Sequence, residues 1–140
     1  FKQYERHPDP SYVPADVVIE DNVLDGMGLE LRTNNGITVY HAKRARITHN
    51  FIRNTPYCGL AINTDFLWNP HYEEGNTMGG DHLVSGNLIV DSGRELYDSA
   101  PIYVLYRNCG KNLITRNCVL IDDLGRRGCG GPQSLDSNWG

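Results

Sequence analysis

Four short segments of this chain follow one pattern, and that pattern restricts the fold more than any other feature of the sequence. Residues 19–24, 47–52, 84–89 and 114–119 each read aliphatic, two mostly polar positions, Asn, one apolar residue, aliphatic. Ile19, Ile47, Val84 and Ile114 open the segments, and Asn22, Asn50, Asn87 and Asn117 stand fourth in them. The Asn residues are 28, 37 and 30 positions apart. Three of the segments are followed by a second alternating stretch: Gly36-Ile37-Thr38-Val39, Gly59-Leu60-Ala61-Ile62 and Pro101-Ile102-Tyr103-Val104. Each repeat therefore holds a strand before the Asn, one after it and a third further on. A repeat of this length with three short strands cannot bury its apolar side alone and must stack on its neighbours. The sequence predicts an all-β fold, a right-handed parallel β-helix of about four to five coils, with coils about 4.8 Å apart. Ile19, Ile47, Val84 and Ile114 form one interior column in this reading, and Leu24, Ile52, Ile89 and Val119 another. The Asn residues form a ladder: Asn tolerates the left-handed corner of a tight turn, and its amide bonds to the next Asn in line. The competing architecture is a β-sandwich with Asn-rich turns, in which four matching segments would be a coincidence.

The spacings set the organisation. Residues 1–16 carry Pro8, Pro10 and Pro14, cannot pair as a central strand, and read as an extended lead-in. Residues 17–140 read as coils, with an inserted loop at 65–80 that accounts for the 37-residue interval. Long insertions on solenoids commonly gather on a binding face. Asn138 lies 21 residues after Asn117, with Leu135 three residues before it. A fifth rung of the ladder is expected to begin there. Solenoid ends expose unpaired strand edges that template further pairing, so continuation of the same helix or self-stacking into an oligomer or fibre is the expected partnership. The chain begins with Phe1 rather than Met, which reads as a processed chain or a fragment.

Composition narrows the function. Lys and Arg number 13 against 17 Asp and Glu, a net charge of −4. No run of five like charges occurs, so the basic footprint of a nucleic-acid binder is missing. No apolar run approaches the roughly 20 residues of a membrane span. Four cysteines, Cys58, Cys109, Cys118 and Cys129, allow buried apolar thiols or disulfides. At least one disulfide is expected among Cys109, Cys118 and Cys129. His and Cys never cluster at zinc-ligand spacing, and no metal or other cofactor is implied.

Residues 36–60, and above all the stretch His49-Asn50-Phe51-Ile52-Arg53-Asn54-Thr55-Pro56-Tyr57-Cys58-Gly59-Leu60-Ala61-Ile62, resemble carbohydrate-active β-helix proteins of the glycoside hydrolase family 141-like type. Downstream, residues 96–103 are similar to that family's Asp-Gly-Gly-x-Ile-Tyr segment. Asp98, Ile102 and Tyr103 match it, while Ser99 and Ala100 stand where the family has glycines. The resemblance spans residues 17–122, and it implies an extracellular β-helix associated with polysaccharide, a location that the four cysteines also favour.

Glycoside hydrolysis needs two carboxyl groups, about 5–5.5 Å apart for retention or 6.5–9.5 Å for inversion. The resemblance points to Asp98 as the acid, and Glu95, three residues earlier, is its nearest partner; Glu73 and Glu74 of the insertion are further candidates. Asp98 has a second reading, as the cap of a turn before the Ile102 strand. Trp68, Tyr72, Tyr103 and Tyr106 are candidates to stack on sugar rings, against the alternative that they pack on the coil. Asn63-Thr64-Asp65 and Asp122-Asp123 look like polygalacturonase motifs, but that enzyme's Gly-His-Gly and Arg-Ile-Lys motifs are missing. Glu20-Asp21 and Asp122-Asp123 do not make a Ca²⁺ cage, since adjacent residues of a strand face opposite ways. His49 and His82 flank repeat strands and are expected to make structural hydrogen bonds. A non-catalytic structural or carbohydrate-associated segment is favoured over a polysaccharide-active enzyme, because the paired glycines are lost and no complete catalytic set is visible.

Overall fold

The computed structural model of the chain describes residues 13–40, 42–63, 79–96, 99–105 and 111–121. Aliphatic residues recur in bursts of three to five, too short for helices and suited to short strands. Eleven strands form: β1 (Val18–Glu20), β2 (Val23–Asp25), β3 (Ile37–Tyr40), β4 (Arg46–Thr48), β5 (Phe51–Thr55), β6 (Leu60–Asn63), β7 (Leu83–Ser85), β8 (Leu88–Ser92), β9 (Ile102–Leu105), β10 (Leu113–Thr115) and β11 (Cys118–Leu120). The described residues contain no helix.

The strands make three sheets, ordered β1-β4-β7-β10, β2-β5-β8-β11 and β3-β6-β9. Every pairing is parallel. The chain visits the three sheets in rotation, and each return adds one strand beside the last; we call one such circuit a rung. Register follows the repeat. Ile19 pairs with Ile47, Ile47 with Val84 and Val84 with Ile114. Leu24, Ile52, Ile89 and Val119 form the second column. The third sheet stacks Ile37, Leu60 and Ile102, then Val39, Ile62 and Val104. These columns meet in one core, in which Ile47, Ile52, Leu60, Ile62, Val84 and Ile89 are fully buried. Their counterparts in the outer rungs, Ile19, Leu24 and Val119, are half-buried, and Ile114 is exposed, because each has a neighbour on one side only among the described residues.

Gly36 and Gly59 lead into β3 and β6, and neither has room for a side chain. A Cβ on Gly36 would lie 2.5 Å from the Gly59 carbonyl oxygen, and one on Gly59 would lie 2.6 Å from the Ile89 Cγ2. The Gly36 and Ile37 N–H groups donate to the carbonyls of Cys58 and Gly59, so the third sheet begins with backbone against backbone. On its outer side Cys58, Ala61, Ala100 and Tyr103 form a second, smaller buried cluster.

One sequence expectation needs correction and another is narrowed. The left-handed corner residues are not the Asn residues. Asp21, His49, Gly86 and Arg116, each one position earlier, have φ between 56° and 68°. The turn is completed before the Asn, which leaves the Asn main-chain N–H and side-chain amide free to approach a single acceptor. The expected disulfide does not involve Cys118, an exposed free thiol on the outward column of β2, β5, β8 and β11. Cys109 and Cys129 lie outside the described residues, as does Asn138. Pairing also starts earlier than the lead-in boundary suggests, since Ala15 bridges Lys43 in parallel and Lys43 bridges Gly80, the last residue of the insertion.

Burial that is complete only in the middle rungs predicts a graded response. Ile52→Ala and Ile89→Ala are expected to cost about 2–5 kcal/mol each. Leu24→Ala and Val119→Ala, in half-buried positions, are expected to cost less than half as much. Denaturant unfolding of the four variants measures this; equal losses at all four positions would contradict the assigned interior.

Candidate functional site

The most built polar feature of the described residues is the Asn column. Asn22 donates from its main-chain N–H (3.2 Å) and from Nδ2 (2.9 Å) to Asn50 Oδ1. Asn50 does the same to Asn87 Oδ1 at 3.0 and 2.9 Å, and Asn87 to Asn117 Oδ1 at 3.0 and 2.9 Å. The second amide hydrogen is also used. Asn50, Asn87 and Asn117 donate it to the carbonyls of Ile19, Ile47 and Val84. Asn50 and Asn87 are 1% exposed, so these bonds satisfy groups that water does not reach, and an unmatched partner there costs about 1–3 kcal/mol. The bonds to Oδ1 have a direction: each intermediate Asn accepts there from the rung before and donates its main-chain N–H and one amide hydrogen to the rung after, while the second amide hydrogen turns back to a carbonyl of the rung before.

His82 belongs to a second buried column. Its Nδ1 accepts from the Ala45 N–H at 3.0 Å, which puts the imidazole proton on Nε2. Its own N–H donates to Asn112 Oδ1 at 3.0 Å. Burial pushes the His82 imidazole below its ordinary value, and the neighbouring Asp81 carboxylate opposes this more weakly. His49 is exposed, with Nδ1 3.9 Å from Asp21, and its ring lies against Gly86, where a Cβ would approach to 2.7 Å. Of the two histidines assigned structural hydrogen bonds from the sequence, His82 makes them.

The charged surface is organised by the same register. Arg44 donates through Nε and Nη2 to the two carboxylate oxygens of Asp16, both at 2.7 Å. Arg53 and Asn54 hold Asp25 at 2.7 Å, and Arg46 reaches Glu20 at 2.9 Å. These hydrogen bonds hold the Asp16 and Asp25 carboxyls below the usual carboxylate range. Asp16, Arg44, Asp81 and Lys111 occupy one column, an alternation of acid and base through four rungs. Sequence reasoning missed it, although the signal was present: these residues stand six positions before each ladder Asn.

The residues singled out for carbohydrate chemistry do not assemble into a site within the described part. Glu95 follows Gly93 in the connection from β8 to β9, and its N–H and that of Leu96 donate to the Pro56 carbonyl. Its carboxylate pairs with Arg32 from the connection between β2 and β3. Tyr103 is on β9 and buried with Cys58, Ala61 and Ala100, so its ring is packing rather than presented. Asp98, Trp68, Tyr72, Tyr106, Glu73, Glu74, Asp65, Asp122 and Asp123 lie outside the described residues. Among the described residues no three His, Cys, Asp or Glu side chains converge as a metal site would require. Comparison with protein-family models, curated proteins and solved structures finds no match to this chain.

Two outcomes follow from the buried polar columns. Asn87→Asp keeps the shape and the acceptor but replaces Nδ2, which carries both amide hydrogens, by one oxygen that faces the Ile47 carbonyl and Asn117 Oδ1; it is expected to cost at least about 3 kcal/mol, read by denaturant unfolding at neutral pH. His82 has its folded value below the unfolded one of 6.5, so the unfolded chain takes up the proton first as pH falls. Its contribution is fully present above about pH 6.5 and is lost as pH drops through the folded value, whereas the depressed Asp16 and Asp25 contribute losses only below about pH 4. The melting temperature is therefore expected to fall between about pH 7 and 5, and His82→Asn, which retains an acceptor for the Ala45 N–H, is expected to flatten that slope. An unchanged slope would contradict the assignment.

Proposed function

We propose that this chain is a stretch of right-handed parallel β-helix acting as a non-catalytic structural segment of an extracellular, carbohydrate-associated protein, within a longer or stacked solenoid. The parallel strands, the rotation through three sheets and the Asn column support the architecture. The observation that carries the functional reading is how the described surface uses its charged side chains. Asp16, Glu20, Asp25 and Glu95 are each paired with an Arg from another rung or connection. A carboxylate that serves as general acid or nucleophile must instead face a substrate across an open groove. Paired this way, the carboxylates tie rungs together. The extracellular and carbohydrate-associated setting rests on the resemblance in residues 17–122, and glycan contact through Trp68 and Tyr72 belongs to the same reading.

The competing reading is a glycoside hydrolase that uses Asp98 with Glu95. The two readings differ in one measurement. Incubation of the chain with a panel of plant and bacterial polysaccharides is expected to release no reducing ends above a buffer control. Release that disappears in both Asp98→Asn and Glu95→Gln would overturn the structural reading in favour of the hydrolase.

A further inference from the structure

The two outer rungs of the described stack are chemically opposite. Residues 13–25, which hold β1 and β2, contain Asp16, Glu20, Asp21 and Asp25 and no Lys or Arg. Residues 111–121, which hold β10 and β11, contain Lys111 and Arg116 and no acid. The ladder is opposite as well. Among the described residues no donor reaches Asn22 Oδ1, and no acceptor meets the main-chain N–H of Asn117, whereas each intermediate Asn satisfies both. Both outer edges also expose aliphatic side chains, Val18 and Val23 at one and Leu113 and Leu120 at the other.

We infer that copies of this chain join end to end, the β10–β11 edge of one seated on the β1–β2 edge of the next in the register that continues the Asn ladder. The inference rests on the solenoid reading above and names its partner as a second copy. In that register Ile114 meets Ile19 and Val119 meets Leu24, which continues the two interior columns, and on the outer face Leu113 meets Val18. Asn117 donates from its N–H and Nδ2 to Asn22 Oδ1 of the neighbour. Lys111 meets Asp16, extending the alternation of Asp16, Arg44, Asp81 and Lys111, and Arg116 meets Asp21. Thr115 meets Glu20, repeating the contact that Thr48 Oγ1 makes to Glu20 at 3.3 Å within the chain. The chain's own residues 132–138 are the other occupant to consider for the β10–β11 edge. The 21-residue step that sets Asn138 on Asn117 would set Pro132 on Lys111 and Ser137 on Arg116, which gives neither cation an opposite charge on that side. A second copy supplies both. Charge complementarity of this kind steers association and fixes register.

Charge reversal at a single column tests it. Arg116→Glu makes the Arg116 junction acid against acid, and Asp21→Lys makes it base against base. Lys is tolerated at position 21, because Arg116 holds the same left-handed conformation in its own rung. In sedimentation velocity at low salt, the 140-residue chain is expected to gain mass with concentration, and each variant alone to associate at least tenfold more weakly. An equimolar mixture of the two variants restores both junctions as opposite charges and is expected to recover association. Circular dichroism of each sample checks folding; should Arg116→Glu not fold, Lys111→Glu, which sets acid against Asp16 of the neighbour, is measured alone and is expected to weaken association to the same degree. A wild type that stays monomeric up to its solubility limit, or variants that associate as wild type does, overturns the inference. Asn87→Asp separates it from the reading beneath it. A folded monomer that Asn87→Asp destabilises refutes the end-to-end joining alone, and an Asn87→Asp variant as stable as wild type refutes the ladder itself.

Discussion

Everything else in this structure depends on one buried amide finding another exactly one rung away. Asn50 and Asn87 are closed off from water with several hydrogen-bonding groups each, and every one of those groups is met by the rung before or the rung after. A slip of one residue would both break these bonds and turn each strand's apolar set outward, because side chains alternate with a period of two. Apolar packing tolerates a good deal of rearrangement when volume and pattern are kept. The amide column does not, since its partners are fixed in number and direction. The ladder thus supplies register, and the aliphatic columns supply most of the driving force.

The same constraint accounts for the corners. A left-handed conformation costs an L-residue roughly 1–2 kcal/mol, yet His49 and Arg116 adopt it beside Gly86, for which the cost is absent. A second series of left-handed residues, Gly26, Asn54 and Asp91, follows five positions later, and a third, Asp16, Arg44 and Asp81, precedes by five. Such strain persists where surrounding structure over-determines it. Here the strands on both sides of each corner are pinned by parallel neighbours, and the Asn that follows is pinned by its amide. Asp16 and Arg44 show the surface making use of the arrangement: two left-handed residues in successive rungs bring their side chains into bidentate contact.

Much of this was legible in the residues, and what was not has a physical cause. The strand columns could be read because a parallel stack places like on like, so that alignment by Asn22, Asn50, Asn87 and Asn117 also aligns Ile19 with Ile47 and Leu24 with Ile52. The identity of the corner residue was misread because Asn has a well-known tolerance for left-handed backbone; tolerance does not say which of two adjacent residues uses it, and the amide geometry decides. Tyr103 is an aromatic on an alternating strand with Ile102 and Val104 inward, which leaves stacking on a sugar and packing on the coil both open from the sequence. The outer face of that sheet is itself covered by Cys58 and Ala100, a tertiary contact that no local pattern reveals. Glu95 stands three residues before Asp98 in sequence, whereas its partner in space, Arg32, comes from a different connection.

A directional ladder has a consequence for any parallel stack that contains one. Each Asn receives at Oδ1 from the rung before and donates its main-chain N–H and one amide hydrogen to Oδ1 of the rung after, so the two ends of that row can never be alike: one presents an Oδ1 acceptor and the other N–H donors. Two identical ends therefore cannot satisfy each other, and a two-fold symmetric contact, which uses the same surface on both partners, is disfavoured at either end. Contact between unlike ends carries no such conflict, and it leaves a further unlike end free each time. The charges follow the same asymmetry, acid at the β1–β2 edge and base at the β10–β11 edge, although charge distribution and amide direction are independent properties of the sequence. Two unrelated interactions with the same polarity give the described stack a head and a tail.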